Sequence, residues 1–203
     1  MPNWVACELQ ISIDEVTNKN ISSTKLKEFV KFAKTTKEGK KNCLTTEKFI
    51  PYPKRFRDKD KFYKNWWNKA NKFAKEHNLK NYYEVDKDLK EQFVKENGKS
   101  PKDGFNDGGY SWCCRNWGTK WGICNAQLIA KSYKSSWNYI KYAFDTAWSP
   151  PTPLIKKMSD LFPELHFELR YFEGGMGFNG ILICVGGTIK EDEQGKYYGY
   201  RGG

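Results

Sequence analysis

The pattern of apolar and polar residues along the chain predicts nine regular elements. Residues 4–13 alternate strictly, with Val5, Leu9 and Ile13 on one face, which is typical of a half-buried strand. Apolar residues at helical spacing mark other segments, of which 59–77 is the clearest. The predicted strands are residues 4–13, 123–130, 137–148, 166–172 and 178–189, and the predicted helices are residues 22–33, 59–77, 86–96 and 154–162.

The order of these elements predicts the fold class. It is strand, helix, a helical insertion at about residues 40–110, then strand, strand, helix, strand and strand. Without the insertion this is the βαββαβ order of the ferredoxin-like fold, followed by one extra C-terminal strand. We therefore expect an α+β protein in which helices pack on one face of an antiparallel sheet, with residues 1–203 forming a single domain. The insertion either covers the other sheet face or stands beside it.

Three sequence runs carry a family resemblance. They are Met1-Pro-Asn-Trp4, the run Trp112-Cys-Cys-Arg-Asn-Trp-Gly-Thr-Lys-Trp121, and Phe144-Asp-Thr-Ala-Trp-Ser-Pro-Pro151. Together they resemble the YubB-type ferredoxin-like proteins carried by plasmids, phages and other mobile elements. The resemblance covers residues 1–36 and 110–185. It implies a ferredoxin-like fold and a mobile-element origin, and it names no reaction.

Positive charge is concentrated in one part of the chain. The whole chain has 35 Lys and Arg against 24 Asp and Glu, a net charge of +11, and residues 14–100 hold 23 against 13, a net charge of +10. Of the basic residues 30 are Lys and 5 are Arg, so we expect diffuse contact with phosphate or an acidic protein surface rather than base-specific readout. A Lys-rich solvated surface with no partner is the alternative.

The longest apolar run is too short to span a bilayer, and the N-terminal residues show no secretory signal. We therefore expect a cytoplasmic protein that does not contact a membrane.

The best candidate binding element is the predicted helix 59–77, in which lysines alternate with aromatic residues. In one interpretation the lysines neutralise phosphates and the aromatic rings stack on bases. In another, the aromatic face packs on the sheet and the lysines face water. Binding to a membrane surface is a third interpretation. The candidate binding residues of this helix are Lys61, Lys64, Lys69, Lys72 and Lys75.

Two further candidate surfaces belong to the ferredoxin-like part. Tyr139, Lys141 and Arg170 should share the sheet face opposite the core, where RNA-recognition folds carry aromatic residues, although the aromatic-rich RNP signature is absent. Lys120 either contacts an anion or lies over a neighbouring Trp ring. The Trp148-Ser-Pro-Pro151 corner is either a plain strand-to-helix turn or an anion site at the helix N-terminus.

Residues with catalytic or metal-binding chemistry are sparse. The six cysteines include no Cys-x-x-Cys pair and there are two histidines, so no metal site is predicted, and Cys7 and Cys184 should be buried free thiols. The match to G-x-G-x-x-G at residues 175–180 leads into a strand, so a β-hairpin is favoured over a dinucleotide site. We predict no cofactor. The one acid–base candidate is His166, with carboxylates nearby at Glu164, Glu168 and Glu173.

These observations favour a non-enzymatic binding protein of a phage or plasmid, whose basic surface faces RNA, DNA or an acidic protein groove. An inhibitor of a host nucleic-acid-guided defence system fits this description. The alternatives are an enzyme that acts on nucleic acid or nucleotides through His166, and a small-nucleotide binder that uses Lys120 and the Trp148 corner.

Overall fold

The computed structural model describes residues 3–13, 23–37, 40–134 and 137–196, so Met1 and Pro2 of the first resemblance run lie outside the described residues. The chain divides into two compact units. We call Met1–Pro51 together with Ser111–Gly203 the sheet unit, and Tyr52–Tyr110 the helical unit. The predicted insertion at about 40–110 contains the helical unit. That the whole chain forms one domain stays a prediction.

The described residues form eight strands and six α-helices, joined by turns. They are β1 (Trp4–Ile13), α1 (Thr24–Ala33), β2 (Thr35–Lys37), β3 (Lys40–Asn42), α2 (Thr46–Phe49), α3 (Lys54–Glu76), a 3-10 turn (Tyr82–Glu84), α4 (Lys87–Asn97), an irregular turn (Phe105–Gly109), α5 (Tyr110–Asn116), β4 (Cys124–Lys134), β5 (Trp137–Ala147), α6 (Thr152–Leu161), β6 (Leu165–Glu173), β7 (Phe178–Val185) and β8 (Thr188–Lys196).

The main sheet has ferredoxin-like topology. Its strand order is β4-β5-β1-β6-β7-β8, and every neighbouring pair is antiparallel. The segments β1, α1, β4, β5, α6 and β6 form the βαββαβ unit, and β7 and β8 extend the sheet beyond β6. The predicted fold class is confirmed. It has two added C-terminal strands where the pattern predicted one.

Helices cover one face of this sheet, which we call the core face. The alternation in β1 buries Val5, Leu9 and Ile11 completely on that face. Phe29 of α1 is also fully buried, and its ring lies 5.1–6.3 Å from the rings of four other aromatic residues. These neighbours come from α2, β5, β6 and the end of α6, and they are Phe49, Tyr142, Phe167 and Phe162. Phe29 therefore joins several elements in one core.

The helical unit has its own aromatic core. Trp66 of α3 makes edge contacts with Tyr82 and Phe93, each at a ring-centroid distance of 5.5 Å. Ala70 and Ala74 lie on the same side of α3 and are fully buried. The predicted burial of the aromatic face of α3 is observed, and its packing partners are the 3-10 turn and α4 of the helical unit.

The C-terminal region differs from the predicted single strand 178–189. Gly186 and Gly187 have φ values of +56° and +71°, a conformation that glycine adopts without strain, and they form a tight turn between β7 and β8. β8 is an exposed edge strand rich in charged residues, so its sequence carries no apolar alternation. The predicted polar tail is therefore a strand as far as Lys196.

The aromatic cluster around Phe29 should dominate the stability of the sheet unit. We expect Phe29→Ala to lower the free energy of unfolding by about 3–5 kcal/mol, because it leaves a cavity among four rings. Phe62→Ala is the control, since Phe62 is 64% exposed and should change stability by less than about 0.5 kcal/mol. Urea unfolding followed by circular dichroism measures both. Equal effects of the two substitutions would contradict this assignment of the core.

Candidate functional site

The five candidate lysines of α3 lie on one side of the helix. At about 100° per residue they fall within about 80° of one direction, opposite to the buried Trp66, Ala70 and Ala74. All five side chains are exposed. We call this set the lysine stripe, and its members are Lys61, Lys64, Lys69, Lys72 and Lys75.

The charge of the stripe is largely uncompensated. Among the described residues Lys72 alone of the five has an ion-pair partner, Glu76 at 3.8 Å, and an exposed pair of this kind is worth little. Lys59 is near the start of α3, about 160° around the helix from Lys61, and it contacts Asp107, which also pairs with Lys102. Hydrogen bonds and charge from these two lysines hold the pKa of Asp107 below its usual value. The charge of Lys59 is thus compensated, whereas Lys61, Lys64, Lys69 and Lys75 have no ion-pair partner among the described residues.

The second face of the sheet, away from the core face, carries a different charge pattern. Tyr139, Lys141 and Arg170 do share this face. However, Lys141 Nζ lies 3.9 Å from a carboxylate oxygen of Glu8, and Arg170 Nε donates to Glu168 at 2.7 Å. Five carboxylates in the described strands point to the same face, namely Glu8, Asp145, Glu168, Glu191 and Glu193. This face therefore attracts phosphate poorly.

A shallow cavity of about 670 Å³ lies on the second face across β1, β6, β7 and β8. Its charged lining residues are Glu8, Arg170 and Glu193, and Asn179 adds a polar amide. Two carboxylates beside one guanidinium give this cavity mixed charge, so it does not extend a basic surface.

Gly180 explains part of the G-x-G-x-x-G match. A Cβ at Gly180 would lie 2.3 Å from the hydroxyl oxygen of Tyr171 on the neighbouring strand, so only glycine fits there. Gly177 has a φ of +70° in the turn between β6 and β7. The hairpin interpretation is confirmed, and both glycines have structural roles.

The two most specific runs of the family resemblance pack against each other. Thr119 is fully buried, and its hydroxyl donates to the Ala147 carbonyl at 2.7 Å and accepts from the Ala147 N–H at 3.1 Å. Ser149 donates from its hydroxyl to the Gly118 carbonyl at 2.6 Å. Gly118 has a φ of +81°, and a Cβ there would lie 2.5 Å from Pro153. These motifs therefore build a corner at the end of β5.

Three exposed tryptophans surround this corner. Trp4, Trp121 and Trp148 are 41%, 36% and 44% exposed, and the rings of Trp4 and Trp121 are 6.0 Å apart. Trp148 has a φ of +74°, which is unusual for a large side chain, and its N–H donates to the carbonyl of Asn3. Lys120 Nζ lies 4.9 Å from the centre of the Trp121 ring. This is the predicted contact between Lys120 and a neighbouring Trp ring.

The carboxylates near His166 already have partners. Glu164 pairs with Lys25 at 3.6 Å, and Glu168 pairs with Arg170. Glu173 is buried on the core face and accepts backbone N–H groups of Gly175 and Met176 in the turn after β6. The geometry therefore assembles no acid–base set around His166.

The cysteines have structural positions. Cys7 and Cys184 are buried as predicted, and burial raises the pKa of the Cys7 thiol to about 12 and that of Cys184 to about 11. Neither thiol is therefore a ready nucleophile at neutral pH. Within the described ranges, no three His, Cys, Asp or Glu side chains are grouped so that they could hold a metal ion.

An exposed aromatic ring in the helical unit was not predicted from the sequence. Tyr83 is 76% exposed, and its ring lies 5.1 Å from that of Trp67 at an interplanar angle of 34°. The two adjacent tyrosines, Tyr82 and Tyr83, could have indicated it. In a short turn before the helix-capping Asp86, one of two neighbouring rings can be buried while the other is exposed.

Of the comparisons with known proteins, the match to a family model supports the fold. A family model described as a ferredoxin-like domain in Api92-like protein matches residues 130–199. A crystal structure of a protein api92 from Yersinia pseudotuberculosis is similar over 99% of this chain and 100% of that chain, with 10% identity and a TM-score of 0.44. No curated protein matches the chain. The fold class is thus an α+β protein with a ferredoxin-like domain.

In the described part of the chain, no helix has both the length and the apolar character needed to cross a membrane.

The Thr119 hydroxyl should be essential to the corner. We expect Thr119→Val to lower the free energy of unfolding by about 1–3 kcal/mol, because it leaves the buried N–H and C=O of Ala147 without their partner. Thr188→Val is the matched control, since Thr188 is exposed at the start of β8. Thermal unfolding measures both, and equal melting temperatures for the two variants would contradict the role of Thr119.

Proposed function

We propose that this protein binds nucleic acid through the lysine stripe of α3, as a non-enzymatic binding protein. The observation that carries the proposal is the position of five exposed lysines on the helix side opposite a packed aromatic core. α3 alone has nine Lys and Arg against three Asp and Glu, a net charge of +6. The rest of the helical unit has a net charge of −1, so the positive potential of this unit comes from α3.

The spacing of the stripe suits a regular polyanion. Lys61 and Lys75 are separated by about 21 Å along the helix axis, at about 1.5 Å per residue. One strand of a duplex presents a phosphate about every 3.4 Å of axis, so the stripe is as long as a segment of about six phosphates. Lysine is a compact point charge that contacts phosphate without reading base edges. The stripe therefore favours contact with the backbone over sequence recognition.

We place this binding activity in a phage or plasmid protein that acts in the host cytoplasm. The mobile-element origin rests on the resemblance of the residue runs around Trp121 and Trp148 to YubB-type proteins. A protein that occupies a nucleic-acid channel of a host defence nuclease would need a surface of this kind. Inhibition of a nucleic-acid-guided defence system is the biological role that combines the resemblance with the basic surface.

A second candidate function is binding of a small nucleotide at the corner of the sheet unit. It is favoured by the three exposed tryptophans and by Lys120, which has no carboxylate partner in the described chain. Aromatic rings stack on bases, and a lysine beside them can pair with a phosphate.

The second candidate is tested by identifying what the purified protein carries. A bound nucleotide should be released on denaturation and detected by ultraviolet absorbance and by mass. Trp148→Leu should abolish its retention while leaving the melting temperature nearly unchanged. A purified protein free of nucleotide that also fails to bind added nucleoside monophosphates would refute this candidate.

The lysine stripe is tested by removing its charge. We expect the combined substitution of Lys61, Lys64, Lys69 and Lys72 by Gln to weaken nucleic-acid binding at least about tenfold. The slope of log K against log salt should also fall by about 3, because up to four phosphate contacts are lost. Fluorescence anisotropy with a labelled duplex and a labelled single strand, over a series of salt concentrations, measures both quantities.

The control for this test changes the same net charge elsewhere. Lys31, Lys131, Lys156 and Lys190 are exposed lysines of the sheet unit, and their combined substitution by Gln should affect binding only slightly. Equal losses in the two variants would show a dependence on total charge alone and would refute the stripe.

Capture from host extract with and without nuclease tests the partner class: a captured partner that survives nuclease and requires the stripe would be an acidic protein.

A further inference from the structure

Tyr83 presents an accessible aromatic ring beside the lysine stripe. One side of its ring faces Trp67 of α3, and the side chain is 76% exposed, so its other side is accessible to a ligand. Trp67 is half-buried and also contacts Tyr63, at a ring-centroid distance of 6.1 Å. The Tyr83 ring is thus the outer member of an aromatic stack whose inner part is packed into the unit.

The turn that carries Tyr83 is held by several hydrogen bonds. The neighbouring Tyr82 is buried against Trp66, and its N–H donates to Asn71 Oδ1 of α3 at 3.1 Å. The Tyr83 N–H donates to Asn81 Oδ1 at 2.9 Å, which closes the turn. A ring fixed in this way loses little conformational entropy when a ligand stacks on it.

Cations lie on two sides of this aromatic stack. Lys64 of the stripe precedes Trp67 by three residues, so the two side chains are neighbours on the surface of α3. Lys90 of α4 donates from Nζ to the Tyr83 carbonyl at 3.1 Å. Glu84 and Asp86 are close to Tyr83 in sequence, and each is held in the turn by a backbone N–H, from Lys80 and Leu89 respectively. Lys64 and Lys90 are the groups beside the ring that favour an anionic ligand with a flat aromatic group.

We infer that Tyr83 stacks on an unpaired base of a single-stranded nucleic acid whose phosphates lie along the lysine stripe. The inference rests on the proposed function and assigns its substrate class. In a duplex the faces of the bases are covered by their neighbours, so an exposed ring gains a stacking partner only from an unpaired base. Every base has such a face, and therefore this contact selects the strand state without selecting the sequence.

The test compares oligonucleotides that differ in their bases and share the same phosphates. The probes are a single strand of about 12 nucleotides, an abasic strand of equal length, and a duplex. We expect Tyr83→Ala to weaken binding of the base-containing strand about tenfold and to leave binding of the abasic strand and the duplex unchanged. Tyr83→Phe keeps the ring and should bind the strand within about twofold of the unmodified protein.

Phe62→Ala is the control for loss of an exposed aromatic ring from the same unit. Phe62 is 64% exposed and lies about 140° around α3 from Trp67, so its removal should leave all three affinities unchanged. Circular dichroism of each variant verifies that it is folded. Both variants should fold, because Tyr83 and Phe62 are exposed.

The outcomes separate this inference from the proposed function. If Tyr83→Ala binds the base-containing strand as the unmodified protein does, or weakens the abasic strand equally, stacking by Tyr83 is refuted. The lysine stripe still stands in that case if its substitution weakens all three probes. If the unmodified protein binds none of the probes, both are refuted.

Discussion

Burial of the aromatic side of α3 is the constraint on which the position of the lysine stripe depends. Trp66, Ala70 and Ala74 pack against the 3-10 turn and α4, so the rotation of the helix about its axis is fixed. With that rotation fixed, the residues at the opposite side of each turn must face solvent, and these are the lysines. A helix of the same composition without a packed aromatic side would display its charges in many directions. The core of the helical unit therefore determines where the positive potential points.

The sheet unit has a separate architecture and a net charge of +6, but its second face is rich in carboxylates. Its second face carries Lys141 and Arg170 between carboxylates, and each cation has an acidic neighbour. The runs that carry the family resemblance form the corner in which Thr119 and Ser149 bond to the backbone of the opposite run. Residues of this kind specify how β5 ends and α6 begins. The resemblance, which covers residues 1–36 and 110–185, therefore describes the scaffold. The lysine stripe lies between these two ranges.

Sequence patterns predicted the elements whose side chains alternate between a core and solvent. β1 was predicted with its observed bounds. The start of α3 was predicted five residues too late, because the prolines at 51 and 53 indicate an extended segment but do not set the first helical residue. β8 and α5 were missed because β8 is a charged edge strand and α5 buries few residues, so neither shows an apolar period. The side of α3 that carries the lysines followed from periodicity alone. The exposure of Tyr83 could not be predicted from periodicity, because it is set by the irregular turn that buries Tyr82.

In the proposed binding mode, lysines and a single exposed ring would provide two kinds of selectivity. Contacts between lysine and phosphate are electrostatic, fall steeply with salt and are nearly independent of sequence. Stacking depends little on salt, because it joins uncharged surfaces, and it requires a base that has left its partner strand. A surface that combines them discriminates unpaired from paired nucleic acid while tolerating any sequence. The proposed role in a nucleic-acid channel of a host requires this tolerance, since the sequence held there varies from one target to the next. The low arginine content agrees with this requirement, because bidentate base readout would restrict the sequences bound.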